Sequence, residues 1–201
     1  MNNSTELNRN CLTNKDGYVL CPVDFERDAE VLKNFDCGNS DLNEFFQKDV
    51  IENSRHLISR PYFLKRAKWE LSFPLALVDL CNDSVRKEGS KRQPGYSNLM
   101  EEGFDIPSAK QYSFLPAVKI TRLGVAQQIQ GHNIGTILLN MVKTLFVTEN
   151  RTGCMFLTVD AYNEERVCNF YYQNQFQPFY DRDKDKKTRA LFFDLRRLAL
   201  P

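Results

Sequence analysis

No C-x-x-C pair occurs in this chain. Its six cysteines, Cys11, Cys21, Cys37, Cys81, Cys154 and Cys168, are scattered, and only two histidines, His56 and His132, accompany them. Such a set lacks the ligand spacing of zinc modules, so no metal is expected. Without a local signature of a nucleophilic Cys-His pair, all six thiols are expected to stay reduced and to pack as small hydrophobes. An excess of charge of one sign is also missing. Lys plus Arg number 27 against 26 for Asp plus Glu, and the net charge of +1 provides no global attraction for nucleic acid or an acidic membrane. Long apolar runs are missing too. None approaches the roughly 20 residues that a membrane span needs, and the opening Met1-Asn2-Asn3-Ser4-Thr5-Glu6 is polar, unlike a signal peptide. A soluble, cytoplasmic protein with no membrane partner is expected. Internal repeats and coiled-coil heptads are absent.

What is present suits one domain, since 201 residues can bury a core without staples. Residues 1–16 are rich in Asn, Thr and charge and read as a flexible tail, with the domain covering 17–201. Tyr18 to Val23 reads as a strand, and a brief helical stretch around Ala29, Leu32 and Lys33 ends near Phe35. Asn39 or Ser40 can cap the next helix, whose Leu42, Phe45, Phe46 and Val50 recur at helical spacing. Pro61 to Ala67 and Trp69 to Leu80 look like a hairpin. From about 82 to 114 Lys, Arg, Ser, Gly and Pro dominate, and this stretch is read as a long insertion that either lines a substrate mouth or is a solvated excursion.

A strand from Pro116 to Val125 then leads into Gln130-Gly131-His132-Asn133-Ile134-Gly135, followed by Ile137, Leu138, Met141, Val142, Leu145 and Phe146 on one helical face. A glycine-rich turn entering a helix directs several backbone N–H groups and the positive end of the helix dipole at one point, where a pyrophosphate fits. The Gly-Lys-Ser/Thr ending of a nucleotide P-loop is absent, as is the full three-glycine dinucleotide fingerprint. The apolar Cys154 to Val159 is of strand length, Asn163 can cap a helix carrying Val167, Phe170 and Tyr171, and Phe176 to Leu195 reads as a terminal hairpin. The order predicts an α/β fold around a mixed sheet with the strand before the glycine turn at its centre.

The glycine turn, Val159-Asp160-Ala161-Tyr162-Asn163 and Asn169-Phe170-Tyr171-Tyr172-Gln173-Asn174-Gln175-Phe176 together resemble the acyl-CoA N-acyltransferases of the GNAT superfamily. Gln130, Gly131, Ile134 and Gly135 match that family's turn in place; Asn133 stands where its middle glycine is usual, and Gln175 where Gly precedes Phe. The resemblance implies a single GNAT-like domain whose mixed, mostly antiparallel central sheet is flanked by helices. It implies acetyl-CoA as cosubstrate, its pyrophosphate held by N–H groups of Gln130, Gly131, His132, Asn133, Ile134, Gly135 and Thr136. The pantetheine arm would pair with Leu123, Gly124 and Val125 and bond Asn163, and Tyr171 would protonate the departing thiolate. A thiol near about 8.5 and a phenol near about 10 are close enough in pKa for that transfer. Taken alone, Tyr171 reads more readily as a core tyrosine than as a catalytic one, and a register error of one would exchange it with Tyr172.

Phe35-Asp36-Cys37-Gly38 resembles the Phe-x-Cys-Gly opening of GNAT toxins from toxin–antitoxin pairs, which acetylate aminoacyl-tRNA, and of their non-toxin relatives. The expectation is an N-acetyltransferase passing an acetyl group to a primary amine by direct attack. The alternatives are a toxin-like enzyme acting on aminoacyl-tRNA and a non-catalytic acyl-CoA sensor. Lys65, Arg66 and Lys68, with Arg86, Lys87, Lys91 and Arg92, are the basic clusters available for tRNA, and solvated faces are their preferred reading. Asp79 and Glu70 are the candidate general bases. Nothing in the sequence excludes a homodimer.

Overall fold

The computed structural model describes residues 11–67, 74–87, 112–148, 152–179 and 183–198. Two compact units are distinguished within the chain: Met1–Cys81 with Thr121–Leu145, and Asn82–Ile120 with Phe146–Pro201.

The first unit opens with β1 (Leu12–Thr13), β2 (Tyr18–Pro22) and, after three short helices, β3 (Arg60–Arg66). β1, which lies inside the stretch read as a tail, pairs antiparallel with β2. The register Leu12↔Leu20 places Cys11 opposite Cys21, their Cα atoms 4.4 Å apart, and the two sulfurs are bonded. The expectation of six reduced thiols therefore fails for this pair, because strand register, which cysteine spacing does not reveal, brings the two together. β2 and β3 are antiparallel, and β3 pairs likewise with β4 (Ala76–Arg86) from Arg60↔Leu80 to Leu64↔Ala76. The hairpin read from the sequence is present, although Trp69 to Phe73 lie outside the described residues.

Helix α1 spans Ala29–Lys33. Asn39 then caps α2 (Ser40–Glu44), its side chain accepting from the Leu42 N–H at 3.1 Å. A π-helical turn, Phe45–Asp49, leads into α3 (Val50–Arg55). Its extra residue per turn suits the five-residue step from Phe45 to Val50, so Phe45, Phe46 and Val50 are all buried. Phe46 meets Phe35 and Phe45 edge-on at 5.5 Å, and Leu32, Phe63, Leu77 and Ala126 join the same core. α4 (Ile134–Thr148) buries Ile134, Leu138, Met141 and Val142, as its periodicity predicts, and Leu139 and Lys143 besides, while Ile137, Leu145 and Phe146 of the predicted face are half-buried.

In the second unit the end of β4 carries on to Arg86 with Val85 buried, into the stretch read as an insertion, while residues 88–111 lie outside the described ones. β5 (Phe114–Val125) begins here and runs parallel to β6 (Phe156–Tyr162) from Ala117↔Phe156 to Ile120↔Val159. After α5 (Glu165–Gln173), the short β7 (Gln177–Pro178) and β8 (Thr188–Asp194) form the closing hairpin, and β8 pairs antiparallel with β6. Val85, Leu115, Ala117, Phe156, Phe179 and Phe192 form its core, with Phe156 edge-on to Phe192 at 5.6 Å.

The strands form one sheet in the order β1-β2-β3-β4-β5-β6-β8-β7, mixed and mostly antiparallel, with β5 in the interior as expected. Among the described residues no helix is long and apolar enough to cross a membrane.

Candidate active site

β5 ends at Val125, a 3-10 turn covers Gln127–Ile129, and the glycine turn follows. Gly131 has φ 83° and Asn133 φ 63°, so both residues lie in the left-handed region. A Cβ on Gly131 would meet nothing within 4 Å, and it is the backbone conformation rather than space that calls for glycine there. Asn133 takes that conformation without being glycine, as the short polar Asn does best. The Asn133 carbonyl accepts from the Ile137 N–H at 3.1 Å, closing the first turn of α4. Gly131, His132 and Asn133 are exposed ahead of that helix, whose leading N–H groups lack intrahelical partners. His132 Nδ1 lies 3.1 Å from the Gln130 carbonyl, so with its proton on that nitrogen the ring donates back into the turn.

The approach to the turn packs against the Phe35–Asn39 loop. Gly124 is buried, and a Cβ there would come within 3.2 Å of Cys37 Cβ, Cys37 Sγ and Phe35 Cε1. Its close approach explains glycine at the penultimate residue of β5. Leu123 and Val125 flank it half-buried, as is Thr136, while Gly135 is buried in α4. The Gln127 N–H donates to the Asp36 carbonyl at 2.9 Å, and Gln130 Nε2 donates to the carbonyls of Cys37 (2.8 Å) and Val125 (3.1 Å). A cleft of about 290 Å³ lined by Asn34, Phe35, Asp36, Ala126 and Gln128 lies beside this junction.

The second unit carries the other two predicted residues. Tyr171, on α5, is 6% exposed, with its ring packed against Phe170 at 5.1 Å and Phe176 at 5.2 Å. Burial pushes its phenol well above the ordinary tyrosine range, which makes this hydroxyl a weaker acid than that of a free tyrosine. Tyr172 is only half-buried, with the Arg189 guanidinium 5.9 Å from its ring centre. The cap of α5 is Glu164 rather than Asn163. Asn163 Nδ2 instead donates to the carbonyls of Lys184 (2.6 Å) and Lys186 (2.8 Å), so this side chain is drawn to the turn before β8, a long-range partner invisible to local capping rules. Gln175, where the resemblance would place glycine, has φ 66°.

No protein-family model matches the chain. Among solved structures, the AtaTR complex bound with acetyl-CoA superposes with a TM-score of 0.68 at 23% identity, covering 91% of this chain and 96% of that one. AtaT complexed with acetyl-methionyl-tRNAfMet gives 0.65 at 24% identity over 90% and 96%, and a tyrosine-to-phenylalanine mutant of KacT gives 0.67 at 19% over 90% and 97%. These neighbours are GNAT-fold toxin acetyltransferases. This chain has the GNAT fold.

Within this GNAT fold the candidate bases fare unequally. Glu70 lies outside the described residues, as do Lys68, Lys91 and Arg92. Asp79 on β4 is wholly buried, and desolvation raises its pKa against the Thr121 hydroxyl, which donates to Oδ2, and the Arg122 charge. The Ser59 hydroxyl biases it the same way as Thr121 without closing a bond: Ser59 Oγ and Asp79 Oδ1 are both buried and unpartnered. A carboxyl so enclosed does not meet an incoming amine, so its place is in the core. Burial raises the Cys37 pKa and pushes Cys154 up to about 11, so these two thiols keep their protons at neutral pH. Among the described residues no cluster of His, Cys, Asp and Glu could hold a metal. Of the basic residues, Lys65 and Arg66 lie over the rings of Phe63 (5.7 Å) and Tyr18 (4.8 Å), and Arg86 over Phe114 (5.5 Å). Sequence reasoning missed the polar network behind the Phe35–Asn39 loop; its signal was the Asp-x-Gly-Asn turn chemistry followed by Asn43.

Proposed function

We propose that this chain is an acetyl-CoA-dependent N-acetyltransferase that passes an acetyl group to a primary amine by direct attack. One observation carries the reading: on a GNAT fold, the turn after β5 adopts left-handed backbone at both Gly131 and Asn133 and opens α4. That backbone exposes helix-leading N–H groups to an incoming pyrophosphate. The structural neighbours with acetyl-CoA bound support the same ligand.

Acetyl-CoA supplies the acetyl group as a thioester and departs as a thiol. In this reading the N–H groups from Gly131 to Thr136 hold the diphosphate and Leu123 to Val125 align the arm. Tyr171, a phenol that is neutral at neutral pH as tyrosine ordinarily is and that burial makes a weaker acid, gives its proton to the leaving sulfur. Asn163 contributes through Oδ1, since its amide protons are committed to Lys184 and Lys186.

A second reading, favoured by AtaT in complex with acetyl-methionyl-tRNAfMet, makes the acceptor the amino group of an aminoacyl-tRNA. The net charge of +1 weighs against it. Thiol release from acetyl-CoA over a panel of polyamines, amino acids, peptides and charged tRNA tests both. Release with charged tRNA alone selects the second reading, and no release with any acceptor, despite tight CoA binding, would leave a sensor.

A further inference from the structure

The mechanism above uses backbone N–H groups of the glycine turn and gives no task to the Phe35–Asn39 loop or to the side chain of Gln130. Yet that side chain reaches away from the turn. Its Nε2 donates to the Cys37 carbonyl at 2.8 Å and to the Val125 carbonyl at 3.1 Å, so one amide joins the loop, the end of β5 and the turn. The loop is itself built as a rigid anchor. Asn43 Oδ1 accepts from the Cys37 N–H at 2.9 Å and from its thiol at 3.1 Å, while Asn43 Nδ2 donates to Asp36 Oδ1 at 2.7 Å. The same Asp36 oxygen accepts from the Gly38 N–H at 2.8 Å, and these two bonds hold its carboxyl below the ordinary carboxylate range. From behind, Gln47 Nε2 donates to the Phe35 carbonyl at 2.8 Å. The junction is tight where Gly124 meets Cys37 and Phe35, and the Gln127 N–H is tied to the Asp36 carbonyl.

The geometry points to a positioning role for Gln130 and the Asn43-braced loop: they fix where the phosphate-facing N–H groups of residues 131–136 stand, and neither touches the ligand through its side chain. A turn with left-handed residues at Gly131 and Asn133 has alternatives close in energy, and a donor shared by two carbonyls selects one of them. The chemistry of the two acceptors sets the requirement. Both are carbonyl oxygens, so the side chain must end in N–H groups; a carboxylate of the same length would repel both.

The inference rests on the CoA reading of the turn, and two measurements separate them. Amide hydrogen exchange at residues 131–136 in the ligand-free protein reports the turn itself, and calorimetry reports CoA affinity. Gln130→Glu, which loses two hydrogen bonds, and Asn43→Ala, which loses three, are expected to speed exchange across the turn and weaken CoA binding roughly 10- to 100-fold. Gln130→Arg, which keeps an N–H donor at the position of Gln130 Nε2 while its guanidinium extends farther, is expected to exchange and bind close to wild type. Wild-type protein that binds no CoA would remove the proposed function, leaving positioning to be judged by exchange alone. Wild-type exchange in folded Gln130→Glu and Asn43→Ala would overturn the positioning role even with CoA binding intact. If Gln130→Glu does not fold, Asn43→Ala decides in the same way, and Gln130→Arg exchanging faster than wild type would count against the role.

Discussion

Tyr171→Phe isolates the proton in the proposed mechanism. The ring sits between Phe170 and Phe176 at 5.1 and 5.2 Å, contacts that phenylalanine reproduces, so folding and the aromatic cluster should survive. Only the hydroxyl is lost. If it protonates the leaving sulfur, kcat should fall roughly 10²- to 10⁴-fold, or about 3 to 5 kcal/mol of transition-state stabilisation, with CoA affinity unchanged. The pH profile adds a second signature. A phenol donor is lost above its pKa, and burial raises that value, so the alkaline limb belonging to Tyr171 should lie above the ordinary tyrosine pKa of about 10. Below that pH, kcat/KM should only rise as the acceptor amine deprotonates. Tyr172→Phe, at a half-buried ring beside Arg189, should be nearly silent. Steady-state rates beside thermal melts decide the matter. Full activity in folded Tyr171→Phe refutes the assignment, and a large loss in Tyr172→Phe alone would mean that the neighbouring phenol is the donor.

Gly131→Asp should weaken CoA binding in calorimetry by setting a carboxylate against phosphate, and an unchanged affinity would count against the turn as the diphosphate site. Gln175→Gly should stabilise the protein by about 0.5 to 1 kcal/mol, raising Tm by roughly 2 °C, because Gln175 pays for a φ of 66° that glycine adopts freely; a lower Tm would contradict this. Asp79→Asn tests the buried carboxyl. Its folded pKa is raised above 3.8, so between that value and the raised one the folded state keeps a proton that the unfolded chain releases, and stability declines as pH rises through the window. The variant should therefore gain on wild type in melts at pH 7 relative to pH 4, and a constant difference between them would deny the shift.

The glycine turn and its helix were legible because their determinants are local. Left-handed φ at Gly131 and Asn133, and apolar spacing along α4, are written in consecutive residues. Tyr171 was legible as a residue but not in its state: burial among Phe170, Phe176 and the rest of its unit, which raises the phenol pKa, depends on strands far along the chain. Asn163 shows the same divide. Capping rules see the helix after it, whereas the fold turns its amide toward Lys184 and Lys186. The Cys11–Cys21 pairing follows from the β1/β2 register, and the enclosure of Asp79 from the strands beside it. By itself the sequence determined the order of the elements from β2 onward, the glycine turn and the chemistry on offer, but not β1 or the reach of β4 to Arg86, since backbone conformation and periodicity act over a few residues. Partners, burial and protonation were decided only in the tertiary structure, because desolvation and hydrogen bonding depend on which distant residues share the same space.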